Sequence, residues 1–267
     1  MITLEQAAVE RGGRALVRGA DLVLQPGALT VILGANGAGK TSLVRLLSGE
    51  WQPTAGRVLW DGRPLAGVDR TALARRRAVV SQHPAHEFPF RAIELVLLGR
   101  LPHARHPDAS DYAVAQEAME QAGIASHAGR RVDTLSGGER QRVHLARALA
   151  QLHEARRARS GVLLLDEPTA HLDLAHQERA LTLARRLARE GLAVAAVLHD
   201  INLAAQYADQ AVLMQAGRVL ASGAARHVMT RALLGEALGL SLAETTGAEG
   251  LPVFFPSPTS SFSTPGA

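Results

Sequence analysis

Residues 29–33 (LTVIL) form a short apolar run. They lead straight into Gly34-Ala35-Asn36-Gly37-Ala38-Gly39-Lys40-Thr41, and residues 42–47 then carry apolar side chains at helical spacing. The octapeptide fits G-x-x-x-x-G-K-[ST]. A buried strand, a glycine turn and a helix start leave little freedom of fold. The glycines let backbone N–H groups point inward around a polyphosphate. The helix N-terminus adds the positive end of its dipole. In that setting Lys40 reaches the β- and γ-phosphates, and Thr41 offers its hydroxyl to Mg²⁺. The chain has 25 glycines, but the flanking strand and helix argue against a chance match.

Bulk properties then narrow the class. The chain has 267 residues, of which 47% are hydrophobic, enough for one large domain or a domain with a sizeable insertion. Only 3% are aromatic, so Leu, Val and Ala must build the core. There is no cysteine, which excludes disulfides and thiolate metal sites and fits a reducing compartment. The net charge of +4 is spread along the chain and suits an anionic nucleotide or a membrane surface. No apolar run reaches the roughly 18 residues that a membrane span needs. The N-terminus lacks the basic and apolar regions of a signal peptide. A soluble chain is expected, with any membrane role exerted through a partner.

Residues 2–33 read as strands joined by tight turns at Gly12-Gly13 and Pro26-Gly27. Residues 57–60 followed by Asp61-Gly62 read as a hairpin arm, and residues 78–81 as a strand ending at Gln82. From Pro84 to about Leu152 strand runs vanish. Residues 93–98, 112–122 and 143–152 have helical patterning, which predicts a helical insertion. Residues 154–160 are expected to be a solvated helix end and loop, and Arg75-Arg76-Arg77 a solvated helix face. Strands resume at 162–165, 192–198, 211–214 and 218–221. Helices are expected at 174–189, with Leu174, Leu181, Ala184 and Leu187 on one side, and at 201–207 and 228–240. Alternating strands and helices imply a mainly parallel sheet covered on both faces. The Ser/Thr/Pro-rich residues 257–267 are expected to be disordered.

Two further stretches carry chemistry. The strand at 162–165 delivers Asp166 and Glu167 at its carboxyl end, where open α/β sheets bind ligands. Asp166 suits the Mg²⁺ shell behind Thr41. Glu167, turned differently, suits polarising a water for in-line attack on the γ-phosphate. Residues 135–141 (LSGGERQ) read as a helix start, with Ser136 as N-cap and Glu139 at the capping-box position, hence a second anion-binding terminus. His83, His86, His103 and His106 cluster in sequence but read as solvated or interfacial loop histidines, and Asp173 with His176 makes no metal site.

The glycine loop at Gly34, Gln82 after a strand, LSGGERQ at 135, LLLDEP at 163, His171-Leu172-Asp173 and His199 occur in one order and spacing. Over about residues 1–240 the chain resembles the ATP-binding cassette ATPases. The resemblance implies an α/β P-loop NTPase fold of cassette type, with an antiparallel β subdomain and a helical subdomain. It implies one domain over 1–256, its helical part at about 84–155 inserted in a RecA-like core. Gly34, Asn36, Gly37, Ala38, Gly39, Lys40, Thr41 and Ser42 would cradle ATP. Thr41, Asp166 and Gln82 would hold Mg²⁺, and Gln82 would also connect to a transmembrane partner. Ser136, Gly137 and Gly138 would contact the γ-phosphate of ATP held by a second copy, making the working unit a head-to-tail dimer. Asp173 would work across that interface. Glu167, His199 and Gln82 would be catalytic, His199 holding the γ-phosphate and the attacking water. Many relatives stack an aromatic on adenine where this chain has Arg11, so Arg11 is the expected base platform.

A finer resemblance rests on Leu47-Ser48-Gly49-Glu50, residues 61–65, 74–79 and 88–90, Leu98-Gly99-Arg100 and residues 197–205. These look like the ATPase subunits of bacterial haem importers, a group that also serves ferric siderophores and cobalamin. The implied partners are a permease dimer, contacted near residues 82–90, and indirectly a periplasmic haem-binding protein. The implied location is the cytoplasmic face of the inner membrane, with no nucleic acid involved. Two other classes fit less well. A soluble cassette ATPase acting on DNA or the ribosome usually carries tandem cassettes or long inserts, and a nucleotide kinase has no use for LSGGERQ.

Overall fold

The computed structural model describes residues 1–81, 89–170, 172–247 and 250–257. In chain order, β1 (Ile2–Arg11), β2 (Arg14–Leu24) and β3 (Leu29–Gly34) precede α1 (Lys40–Ser48). Next come β4 (Ala55–Trp60), β5 (Arg63–Pro64), α2 (Arg70–Arg76) and β6 (Arg77–Val80). A helical stretch follows: α3 (Ala92–Leu97), α4 (Ala109–Gln121), α5 (Gly137–Gln151) and α6 (His153–Arg157). The second half alternates: β7 (Val162–Asp166), α7 (Leu174–Arg189), β8 (Ala193–Val197), α8 (Ile201–Tyr207), β9 (Gln210–Gln215) and β10 (Arg218–Ala224). It ends with α9 (Ala225–Val228), α10 (Arg231–Leu238) and the hairpin β11 (Leu242–Thr246) and β12 (Pro252–Pro256).

Among the described residues, the main sheet has the order β10-β9-β3-β8-β7-β6, with β9 to β6 parallel and β10 antiparallel at one edge. The strands β3, β7 and β8 are buried throughout. Period-two alternation sorts their side chains between two cores. Ile32, Val162, Leu164, Ala193, Ala195 and Val197 meet α1 and the antiparallel sheet β2-β1-β4-β5. Val31, Leu33, Leu163, Leu165, Val194 and Ala196 meet α7, α8 and the helical stretch. That two-sided burial is why these strands read as unbroken apolar runs.

Parallel register sets the functional edge. Ile32 and Asp166 both pair with Val197, so β3, β7 and β8 end at one level. The loop at Gly34, the acids at 166–167 and His199 therefore emerge together.

The start of α5 is as read from residues 135–141, with Ser136 capping it at Gly137 reciprocally with Glu139. Several other local expectations need correction. The region expected as one helix over 228–240 divides into α9 and α10, and Thr230 caps the second. Residues 154–160 do form an exposed helix end and loop, but the half-exposed Glu154 is anchored. Its two oxygens accept from Arg100 at 2.9 and 2.6 Å, and the buried Arg100 also donates to Asp111 at 2.8 Å. The arginine run is a solvated face only in part, since Arg75 is exposed while Arg76 and Arg77 are half-buried. Arg75 donates to the Pro102 carbonyl, Arg76 donates to the Ser160 carbonyl and lies over Trp60, and Arg77 opens β6. Leu181, Ala184 and Leu187 are buried as expected, whereas Leu174 is 79% exposed. The C-terminal hairpin had no sequence signal. Asn202 clamps it, donating to and accepting from the Phe254 backbone.

Candidate functional site

The glycine loop is shaped by close backbone approach. Gly34, Gly37 and Gly39 have φ of 152°, 79° and 100°, a region that side chains rarely adopt. At Gly39 a Cβ would stand 2.5 Å from the Leu16 carbonyl oxygen, and at Gly34 it would strike the Met214 carbonyl. The helix α1 begins at Lys40 with no side-chain cap, so its first N–H groups remain open to a ligand. Lys40 folds back over the loop and donates to the carbonyls of Gly34 at 2.8 Å and Ala35 at 3.0 Å. Burial pushes the Lys40 ammonium below its ordinary pKa, while Glu167 and Asp166 pull it back up.

The acids stand opposite. The Thr41 hydroxyl lies 3.5 Å from Asp166 Oδ1. Burial raises the Asp166 carboxyl, its bond from Thr41 opposes that, and neighbouring Glu167 adds to the rise. Glu167 has φ of 55°, which turns it away from the strand line that carries Asp166. Its Oε1 lies 2.6 Å from His199 Nε2. Gln141, on α5, donates to the Glu167 carbonyl at 3.1 Å, tying the helical stretch to the acidic turn.

A cleft of about 350 Å³ runs over the glycine loop to Glu167, with Asp166 and His199 outside its lining. Asn36, Gly37, Gly39, Lys40, Thr41, Ser42 and Glu167 line it, and Ala38 is buried beneath. Arg14, Leu16, Arg18 and the turn at Ala216-Gly217 complete the lining. Sequence reading missed those residues. Leu16 betrays itself only through the loop pressed against its carbonyl.

Other expected residues stand elsewhere. Ser136 and Gly137 are exposed, and with Gly138 they lie outside this cleft. Ser136 accepts from Glu139 N at 3.3 Å, and Glu139 answers at Ser136 N at 2.7 Å. Those Ser136 bonds hold the Glu139 carboxyl down at about 2. Asp173 caps α7 and pairs with His176 Nδ1 at 2.7 Å, also outside the cleft. Arg11 is not in the lining. Its guanidinium lies 4.1 Å from the Trp51 ring centroid, and Arg45 lies 4.7 Å from the same ring. Gln82 and His171 lie outside the described residues, as do His83 and His86.

Lys40, Thr41, Asp166, Glu167 and His199 thus follow one sheet edge, the arrangement of a phosphoryl-transfer site. A family model described as ABC transporter matches residues 17–170, more than half of the chain. The chain belongs to the ABC transporter family. Among relatives within this family, the hemin import ATP-binding protein HmuV of Methylobacillus flagellatus is 43% identical over 238 residues, 88% of this chain and 87% of that protein. HmuV of Deinococcus radiodurans is 47% identical, covering 78% of each chain. HmuV of Burkholderia cenocepacia is 42% identical, covering 94% of this chain and 98% of that one. Solved structures agree on the ABC cassette fold. A chain of a metal-chelate type ABC transporter in an inward-facing conformation superposes with a TM-score of 0.80 at 27% identity, covering 96% of both chains. A bacterial ABC transporter cassette solved as a dimer superposes at 0.73 with 26% identity, covering 84% of this chain and 98% of that one.

Proposed function

We propose that this chain is the ATP-hydrolysing subunit of a bacterial type II importer that powers haem uptake across the inner membrane. The observation that carries the reading is the single edge of Lys40, Thr41, Asp166, Glu167 and His199, together with relatives named as hemin import ATP-binding proteins across most of the chain. No described helix is long and apolar enough to cross a membrane, which fits a subunit working beneath a separate permease on the cytoplasmic face.

The residues divide the chemistry. The open N–H groups at the start of α1 and the Lys40 ammonium bind the β- and γ-phosphates. Freed from the Gly34 and Ala35 carbonyls, Lys40 exchanges two neutral acceptors for charged oxygens. Thr41 and Asp166 present converging hard oxygen donors, which fit Mg²⁺. The ion supplies charge neutralisation at the phosphates. Glu167 orients and polarises the attacking water, and His199 beside it holds the γ-phosphate. Gln82 belongs to the same proposal through its place in the sequence.

The chain works as a head-to-tail pair. Its exposed helix start at Ser136-Gly137-Gly138 stands outside its own cleft and is free to close on a second copy's. Asp173 is likewise exposed for that interface. Closure and reopening drive the permease. A periplasmic haem-binding protein delivers cargo to the far side.

The test is reconstitution with the cognate permease in liposomes. Haem transport coupled to ATP turnover is expected, with turnover abolished in Glu167→Gln. Transport of a ferric siderophore or cobalamin in place of haem would overturn the cargo.

A further inference from the structure

The C-terminal part of the chain folds back onto the site edge twice. The last turn of α10 meets the glycine loop, where the Ala35 N–H donates to the Ala237 carbonyl at 3.3 Å. The hairpin β11–β12 then reaches α8. There Asn202 Oδ1 accepts from Phe254 N at 2.8 Å, and Asn202 Nδ2 donates to the Phe254 carbonyl at 3.0 Å. One amide thus pairs with both polar groups of one backbone residue, which fixes orientation as well as distance. Phe254 is buried in the same core as Ala204 and Tyr207 of α8, while Phe255 faces outward. His199 stands directly before α8. Upstream of it, the Leu198 N–H donates to the Ile32 carbonyl at 3.2 Å. Downstream, Asp200 caps α8 by accepting from the N–H groups of Asn202 and Leu203 at 2.8 and 3.0 Å. The segment that carries His199 is therefore pinned to β3 at one end and to the hairpin at the other. The His199 side chain is 46% exposed, so packing alone does not fix it, and α8, at seven residues, is too short to be rigid by itself.

We propose that Asn202 is a positioning residue for His199, and that the C-terminal hairpin, through Asn202, sets the rate of ATP hydrolysis. This rests on the role given to His199 above and names what keeps that side chain in register with Glu167. Without the clamp, α8 shifts on its cap. His199 then leaves its 2.6 Å contact with Glu167 Oε1, and the γ-phosphate and the water lose their alignment. Nucleotide binding is spared, because Lys40 and the start of α1 lie on the other side of β3 from the clamp's own contacts and are held by the glycine loop.

The experiment measures steady-state ATP turnover of the full chain reconstituted with its permease, counted per nucleotide-binding site. Equilibrium ATP binding and the NMR signals of the His199 imidazole are recorded on the full chain alone. Asn202→Ala removes both bonds to Phe254. Its kcat is expected to fall about tenfold with KM and ATP affinity within about twofold, and its His199 signals to shift or broaden. Asn202→Asp keeps the acceptor for the Phe254 N–H and loses the donor, so an intermediate kcat is expected; it also carries the test if the alanine variant does not fold. Phe255→Ser, on the outward face of the same strand, is expected to match wild type in every readout. Wild-type kcat and His199 signals in the Asn202 variants would overturn the proposal. So would an equal loss of kcat and ATP affinity, the mark of general loosening. His199→Ala separates the two levels. If it hydrolyses ATP as wild type does, the role of His199 itself fails. If it is inactive while the Asn202 variants match wild type, only the clamp's positioning role fails.

Discussion

His199 Nε2 lies 2.6 Å from Glu167 Oε1, across the gap between the ends of β8 and β7. The contact exists because two parallel strands stop at one level and because Glu167 adopts φ of 55°. Asp166 faces Thr41 and Glu167 faces His199, so consecutive acids serve different atoms. Under the proposed function, Asp166 would belong to the metal shell and Glu167 would polarise the water.

Glu167→Gln keeps the side-chain shape and removes the base. Steady-state ATP turnover is expected to fall by about 10²- to 10⁴-fold with nucleotide affinity preserved. A phosphate-release assay beside equilibrium binding checks both halves. Turnover near the wild-type rate would remove Glu167 from the water-polarising role.

Gly39→Ala would force a side chain toward the Leu16 carbonyl at a φ of 100°. Loop strain of about 1–3 kcal/mol is expected in urea unfolding, with nucleotide affinity reduced at least about tenfold. Gly37→Ala meets no atom within 4 Å but keeps a φ of 79°, so the strain term appears there without the collision. Comparing the two variants isolates the approach of β2 to the loop.

Arg100→Met would leave Asp111 buried without its cation and free the Glu154 carboxylate. A loss of about 3–5 kcal/mol is expected, concentrated in α4 to α6 by hydrogen exchange. Arg131→Met breaks an exposed ion pair with Asp133 and should leave stability and hydrogen exchange close to wild type.

His144 sets a stability window in pH. Burial pushes its pKa down to about 4, and the charges of Arg147 and Arg140 press the same way. The unfolded chain takes up that proton near 6.5, so stability falls as pH drops from about 6.5 towards 4. At most about 3 kcal/mol is at stake for this one group. His144→Gln should flatten the thermal-unfolding profile across that range. For the partly buried Glu154, burial raises the carboxyl but bonds from Arg100 hold it at about 2, so its contribution is lost only below about pH 4.5 and leaves the range from about 6.5 to 4.5 to His144.

Much of this architecture was legible from residue order. Apolar runs gave β3, β7 and β8, and amphipathic spacing gave α7 and α8 to within a residue. The glycine pattern and the Asp166-Glu167 pair marked the site because each needs local geometry that only those residues supply. What escaped was tertiary. Nothing local says that Arg11 turns to Trp51, that Glu154 turns to Arg100, or that Arg14 and Arg18 border the cleft. The hairpin at 242–256 is short and weakly patterned, and it depends on Asn202, some fifty residues earlier, for its anchorage.

The central claim is that triphosphate lies between Lys40 of one copy and the Ser136 helix start of another. A structure of Glu167→Gln crystallised with ATP and Mg²⁺ tests it most directly. The account predicts a head-to-tail dimer with each Ser136 hydroxyl within about 3 Å of a γ-phosphate oxygen bound to the other copy's Lys40. A closed, nucleotide-loaded assembly in which Ser136 faces solvent would contradict it.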